Sequence, residues 1–297
     1  MRRLSTLFTL SFVLTLAAVA AIPAPTNDAA RAEETLKQAR KAAGGEEKLV
    51  AVQSLTAKGK FRRVFGEREM SGERELSFQF PDKFLVADTF AVGGLNTSTT
   101  TSKGLNGAEA WQGGRGGMIV FGGPQLTEEQ KTAIFRRNFQ TEWARLALGM
   151  LLTTQPTFPV QFAYAGEAEA EDGRADVLDA TGPEKFAARL FLDKQTHLPL
   201  MLTYKTAARR MAGGPLSIRQ GMSKEETDKM IKEQADKAGP PQETEHQIRF
   251  SDFRKVGGLT LPHRITQTSD SNDMTEEWEI TKYEINPQLK PDTFKKP

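Results

Sequence analysis

Apolar and polar residues alternate one for one along much of this chain, and no other feature limits its fold so strongly. Leu55, Ala57, Gly59 and Phe61 fall on one side of a period of two, with Thr56, Lys58, Lys60 and Arg62 on the other. That period fits a strand with one face buried and one in water. Gly66 and Glu67 then mark a turn, and Leu76, Phe78 and Phe80 alternate with Glu75, Ser77 and Gln79 as far as Pro81-Asp82. Phe84, Val86 and Phe90 make a third strand, the Thr/Ser-rich run Asn96 to Ser102 a fourth, and Asn106-Gly107 the next turn. The same texture returns later. Val160 to Tyr164 reads as a strand that turns at Gly166 to Glu171 and pairs across Gly173 with Ala175 to Ala180. Phe186, Ala188, Leu190 and Leu192 alternate, Asp193 to His197 turn, and Leu200, Leu202 and Tyr204 return. Ile248 and Phe250, a turn at Gly257-Gly258, the run Leu259, Leu261, His263, Ile265, and a last strand around Trp278 to Ile285 complete the series.

One strong helix interrupts the strands, after the glycine-rich stretch Gly113 to Gly123. Thr127 with Gln130 forms a capping box, and Ile134, Phe135, Phe139, Trp143, Leu146, Ala147 and Met150 recur at helical spacing. A single amphipathic helix between two runs of strands must lay that stripe on the sheet. The fold class is therefore α+β, mainly antiparallel, with a curved sheet that wraps the helix. The 18 Phe against 3 Tyr favour dry surfaces, since Phe carries no hydrogen-bonding handle. Two outcomes stay open: a concavity filled by core side chains, or a space under the helix that takes an acyl chain.

Two further segments complete the organisation. Glu33 to Ala43 reads as a short helix stopped by Gly44-Gly45. The segment Ala207 to Pro241 reads as an exposed flap inserted between two strands. Ser223 and Glu226 cap its helix, which runs to about Lys237, and its sizeable apolar residues are Met230 and Ile231. No repeat and no low-complexity linker divides the chain, so residues 33–297 form one domain with a helical insert at 207–241.

Residues 1–32 read as a signal peptide and lead-in. Arg2 and Arg3 precede the uncharged run Leu4 to Ile22, and Ala18-Val19-Ala20 offers a small-x-small cleavage site, with a second possibility at Ala30-Arg31-Ala32. An uncleaved membrane anchor is the alternative. Loss of Arg2 and Arg3 takes the 40 basic residues to 38, equal to the 38 acidic ones, so the formal +2 belongs to the export signal. The chain has no Cys, which excludes disulfides, thiolate metal sites, a cysteine nucleophile and an acylated N-terminal cysteine. It also suits an oxidising compartment.

Residues with chemistry to offer are scattered. His197, His246 and His263 lie far apart; His263 shares the phase of Leu261 and Ile265, where a carboxylate could make it a pH-sensitive latch. Glu169, Glu171, Asp172, Asp176 and Asp179 lack the ligand order of a calcium loop, and Asp270, Asn272 and Asp273 read as a turn. There is no Gly-x-Ser-x-Gly elbow, no His-Glu-x-x-His and no phosphate loop. Arg62-Arg63, Arg136-Arg137 and Arg209-Arg210 are isolated pairs on expected solvated faces, so no nucleic-acid partner is expected. No cofactor and no metal are expected either.

Phe250 to Ile265 reads Phe-Ser-Asp-Phe-Arg-Lys-Val-Gly-Gly-Leu-Thr-Leu-Pro-His-Arg-Ile, followed by Ile285-Asn286-Pro287 and Phe294-Lys295-Lys296-Pro297. With Gly44-Gly45, Leu55 to Phe61, Asn106 to Trp111 and the hairpin Gly173 to Leu178, this resembles the exported bacterial proteins related to the outer-membrane lipoprotein-sorting carriers. The resemblance implies an incomplete, half β-barrel with a helical lid over a hydrophobic cavity. On that basis the helix from Thr127 to Leu152 is the lid, and Phe78, Phe80, Phe84, Val86, Phe135, Phe139 and Trp143 are the candidate cavity residues. The insert at 207–241 departs from the family pattern, and no arginine is placed by a matching motif. The expected function is a periplasmic, non-enzymatic, monomeric carrier or binding protein for lipid or lipoprotein acyl chains. The alternative is a cell-envelope interaction module that uses the flap around Met211, Met222 and Met230 to hold an envelope protein partner.

Overall fold

A computed structural model of the chain describes residues 27–91, 97–114, 127–170, 173–208, 223, 225–226, 229, 242–270 and 274–296. The expected export segment Leu4 to Ile22, most of Gly113 to Gly123 and most of the insert lie outside the described residues. In chain order the elements are α1 (Asn27–Ala42), α2 (Glu46–Val50), β1 (Ser54–Phe65), β2 (Arg68–Gln79), β3 (Lys83–Ala91), β4 (Ser98–Asn106), β5 (Glu109–Gly113) and α3 (Glu128–Leu151). Then follow β6 (Gln161–Ala170), β7 (Gly173–Gly182), β8 (Phe186–Asp193), β9 (Pro199–Ala208), β10 (Gln242–Val256), β11 (Leu259–Ser269) and β12 (Met274–Ile285).

The strands pair into one antiparallel sheet of twelve, in the order β5-β4-β3-β2-β1-β12-β11-β10-β9-β8-β7-β6. It consists of two meanders, β5 to β1 and β12 to β6, joined where β1 meets β12. At that seam the register shifts between Lys58 and Gly59. A Cβ on Gly59 would stand 1.9 Å from the carbonyl oxygen of Glu279, so glycine alone lets the two meanders close here. The Ile285-Asn286-Pro287 motif acts at the same place. Asn286 Oδ1 accepts from the backbone N–H of Gln53 at 2.7 Å and of Ser54 at 3.2 Å, while its Nδ2 donates to the Ala51 carbonyl at 2.9 Å. The sheet is open, with β5 and β6 at its ends.

Alternation sets the inner face as expected: Leu55, Ala57 and Phe61 of β1, Leu76 and Phe78 of β2, Phe84 of β3, Trp278 and Ile280 of β12 and Leu261 and Ile265 of β11 are all buried. Thr56 and Ser77, which the alternation puts in water, are buried too, with their hydroxyls 3.4 Å apart. On the outer face the chain after β12 runs from β1, where Ser54 Oγ donates to the Pro287 carbonyl at 3.0 Å, to β5, where Trp111 Nε1 donates to the Phe294 carbonyl at 2.9 Å.

Helix α3 has the expected capping box, with Thr127 Oγ1 accepting from Gln130 N at 3.2 Å and Gln130 Oε1 accepting from Thr127 N at 2.9 Å. Its backbone comes close to β4 and β5 on one flank and to β8, β9 and β11 on the other. A helix of 24 residues is about 36 Å long. In a flat sheet β5 and β8 would lie about 43 Å apart, so the sheet curls round the helix as an incomplete barrel.

Three details differ from the sequence reading. Helix α1 begins at Asn27 rather than Glu33, and Ala32 is already fully packed. Gly166 makes no turn: β6 continues through it, with a bulge between Tyr164 and Gly166. The five-residue α2 escaped notice because Leu49 is the single buried residue it offers as a signal. Among the described residues no helix is long and apolar enough to cross a membrane.

Candidate ligand-binding cavity

Beneath the middle of α3 the aromatic residues pack on one another. Trp143 is 0% exposed, with its ring centroid 6.1 Å from Phe78, 5.6 Å from Phe80 and 6.1 Å from Phe84. One turn earlier Phe139 stacks on Phe135 at 5.8 Å. Six of the seven candidate residues thus form a solid cluster under and along the helix. Val86 lines open space.

That space is a cavity of about 480 Å³ between α3 and the inner face of the central strands, within the range of about 300–1,000 Å³ usual for small-ligand pockets. Its apolar wall is Leu76, Val86, Leu146, Ile265 and Trp278. The indole nitrogen of Trp278 has no acceptor among the described residues. The neighbouring part of the same sheet face carries charge, with Arg63 on β1, Arg74 on β2, Asp88 on β3, Lys103 on β4 and Glu276 on β12, and Glu142 joins the lining from α3.

Arg74 organises the charged part of the lining. Its Nε and Nη2 donate to the two oxygens of Asp88, both at 2.7 Å, and its Nη1 donates to Glu276. Arg63 donates to Glu276 through Nε and to Asp88 through Nη2, the latter at 3.4 Å. Burial alone would raise the Glu276 carboxyl, but Arg74 and then Arg63 outweigh it and hold the group below the usual range. Burial likewise works to lower the Arg74 guanidinium, and Asp88 and Glu276 reverse the sign, so it stays charged. Two guanidinium groups thus share two carboxylates within one network.

The sequence held the signal for these charged residues. Arg63 extends the inward phase of Leu55, Ala57 and Phe61, Arg74 that of Phe78 and Leu76, Asp88 that of Phe84 and Val86, and Glu276 that of Ile280 and Trp278. Register then brings them together, pairing Arg63 with Glu276 and Arg74 with Asp88. Arg63, expected on a solvated face with Arg62, is thereby corrected to an inward position. Arg62 does point to water and pairs with Glu69 at 2.7 Å.

Lys103 and Glu142 link the sheet to the helix. Lys103 Nζ donates to both Glu142 oxygens, at 2.7 and 2.6 Å, and stands 6.0 Å from the Phe139 ring centroid. Further along α3 the Arg145 guanidinium lies 3.7 Å from the centroid of Tyr204, which stacks on His246 at 4.8 Å. Burial, then Arg145, holds His246 below the usual histidine range.

The other singled-out residues lie elsewhere. His263 faces inward, but its Nδ1 donates to the Ile280 carbonyl at 2.7 Å rather than meeting a carboxylate. His197 sits in the turn between β8 and β9. Asp176 accepts from the Tyr164 hydroxyl at 2.8 Å and Asp179 from Arg189 at 2.7 Å, and no metal-holding cluster occurs among the described residues. Of the flap, the Ser223–Glu226 cap is present, with Glu226 N donating to Ser223 Oγ at 3.2 Å. Met211, Met222 and Met230 lie outside the described residues.

No protein-family model matches the chain, and no curated protein matches it. Solved structures similar to it include a LolA superfamily protein from Nitrosomonas europaea, at 12% identity and a TM-score of 0.48 over 89% of this chain and 97% of that one. A putative outer membrane lipoprotein-sorting protein domain from Vibrio parahaemolyticus is 9% identical, with a TM-score of 0.46 over 90% and 97%. A DUF1329 family protein from Desulfovibrio piger is 9% identical, with a TM-score of 0.43 over 89% and 96%.

Proposed function

We propose that this protein is an exported, non-enzymatic carrier or binding protein for an acyl-chain lipid, held between α3 and the inner face of the sheet. The observation that carries the reading is the cavity of about 480 Å³ with Leu76, Val86, Leu146, Ile265 and Trp278 along one wall. Each methylene moved there from water contributes about 0.8 kcal/mol, so a chain of several carbons binds without any covalent step. The charged residues beside that wall give the cavity an apolar part and a polar part, which suits an amphiphile better than a plain hydrocarbon. Native mass spectrometry after gentle purification, repeated on delipidated protein titrated with fatty acid, tests this. A lipid adduct is the expected result, and a protein that neither carries nor accepts lipid refutes the reading.

A further inference from the structure

We infer that the cavity takes an anionic single-chain lipid whose acid group replaces the Glu142 carboxylate at Lys103; this rests on the lipid-binding reading above. Three cations, Arg63, Arg74 and Lys103, and three carboxylates, Asp88, Glu142 and Glu276, line the cavity. Five of the six belong to the sheet, and Glu142 belongs to α3. With Glu142 in place the walls are neutral. With Glu142 turned out to water the sheet keeps three positive charges against two negative. The Lys103 ammonium is then left without its carboxylate partner, next to Val86. One monoanionic head group restores the balance. A neutral or cationic head group does not.

Glu142 is also the carboxylate best placed to leave. The Arg74 and Glu276 side chains are 10% and 8% exposed and tied into a shared network. Those of Lys103 and Glu142 are 31% and 30% exposed and bound to each other as a simple pair. Water competes for both members of such a pair, which makes it weak. Lys103 lies where the charged and apolar parts of the lining meet: register sets it beside Val86 on β3 and Gln112 on β5, both of which line the cavity. An acid bound at Lys103 thus continues directly into methylenes against Val86, Leu76 and Leu146.

The experiment titrates the delipidated full chain with dodecanoate and, separately, with 1-dodecanol, in mildly alkaline buffer, by calorimetry. Dodecanoate should bind about tenfold more tightly than the alcohol, as expected for a hydrogen bond to a charged group. Lys103→Met should abolish that preference, so that acid and alcohol bind the variant equally. Glu142→Gln, which removes the internal competitor, should tighten dodecanoate alone. Equal binding of acid and alcohol, or a preference that survives Lys103→Met, overturns the exchange while the lipid reading stands. Binding of neither probe overturns both.

Discussion

A guanidinium withdrawn from water is tolerable only where its donors find acceptors, and Arg74 meets that condition with Asp88 and Glu276. Removing one acceptor strands charge on both arginines. Glu276→Gln should therefore lower stability by about 3–5 kcal/mol in urea unfolding near neutral pH. Because the arginines hold Glu276 below its ordinary range when folded, the carboxylate contributes fully above the unfolded value of about 4.3, and the contribution is lost as pH falls through the lower folded value. The gap between wild type and variant should thus stay constant from neutral pH down to mild acid and close in stronger acid. A gap that widens on acidification contradicts this account. At this scale the sequence was legible in part. Four charged residues in an inward phase are visible in the letters, but their partnership depends on strand register across the seam, which alternation does not reveal.

Elements were more legible than contacts. The capping box and the apolar stripe placed α3 to the residue, and the short turns Gly66-Glu67, Asn106-Gly107 and Gly257-Gly258 placed the hairpins, because these signals are local. The bulge at Gly166 was not legible, since a glycine that bends a strand and one that ends it look alike in sequence. The close approach of α3 to β10 was equally hidden. A Cβ on Gly149 would stand 1.8 Å from the Phe250 ring. Alanine gains about 1 kcal/mol of helix propensity over glycine, while overpacking a filled core costs about 1–3 kcal/mol. Overpacking should win at so short a distance, so Gly149→Ala should lower the thermal midpoint. Adding Phe250→Leu should recover part of the loss, whereas a midpoint raised by Gly149→Ala alone would show that the helix can shift freely.

At the scale of the whole molecule, the insert falls between two paired strands. Ala208 at the end of β9 pairs with Gln242 at the start of β10, so residues 209–241 leave and return at one hairpin tip. Replacing them with Asn-Gly, which fits a two-residue hairpin, should leave lipid binding and the urea midpoint unchanged. Loss of lipid binding in a folded product would assign the insert to the cavity. The β1–β12 seam has a different consequence, one of timing. A chain synthesised from its N-terminus makes β12 after the other eleven strands of the sheet, yet that strand supplies the middle of the sheet and carries Glu276 and Trp278. Until it arrives, β1 to β5 form a meander with an unpaired edge at β1, and Arg63 and Arg74 lack one of their two counter-ions. Joining segments so distant in sequence is slow, and exposed strand edges invite aggregation meanwhile. The twelfth strand in chain order thus completes the lining of the cavity, and a chain cut before Met274 lacks Glu276 and Trp278 from it.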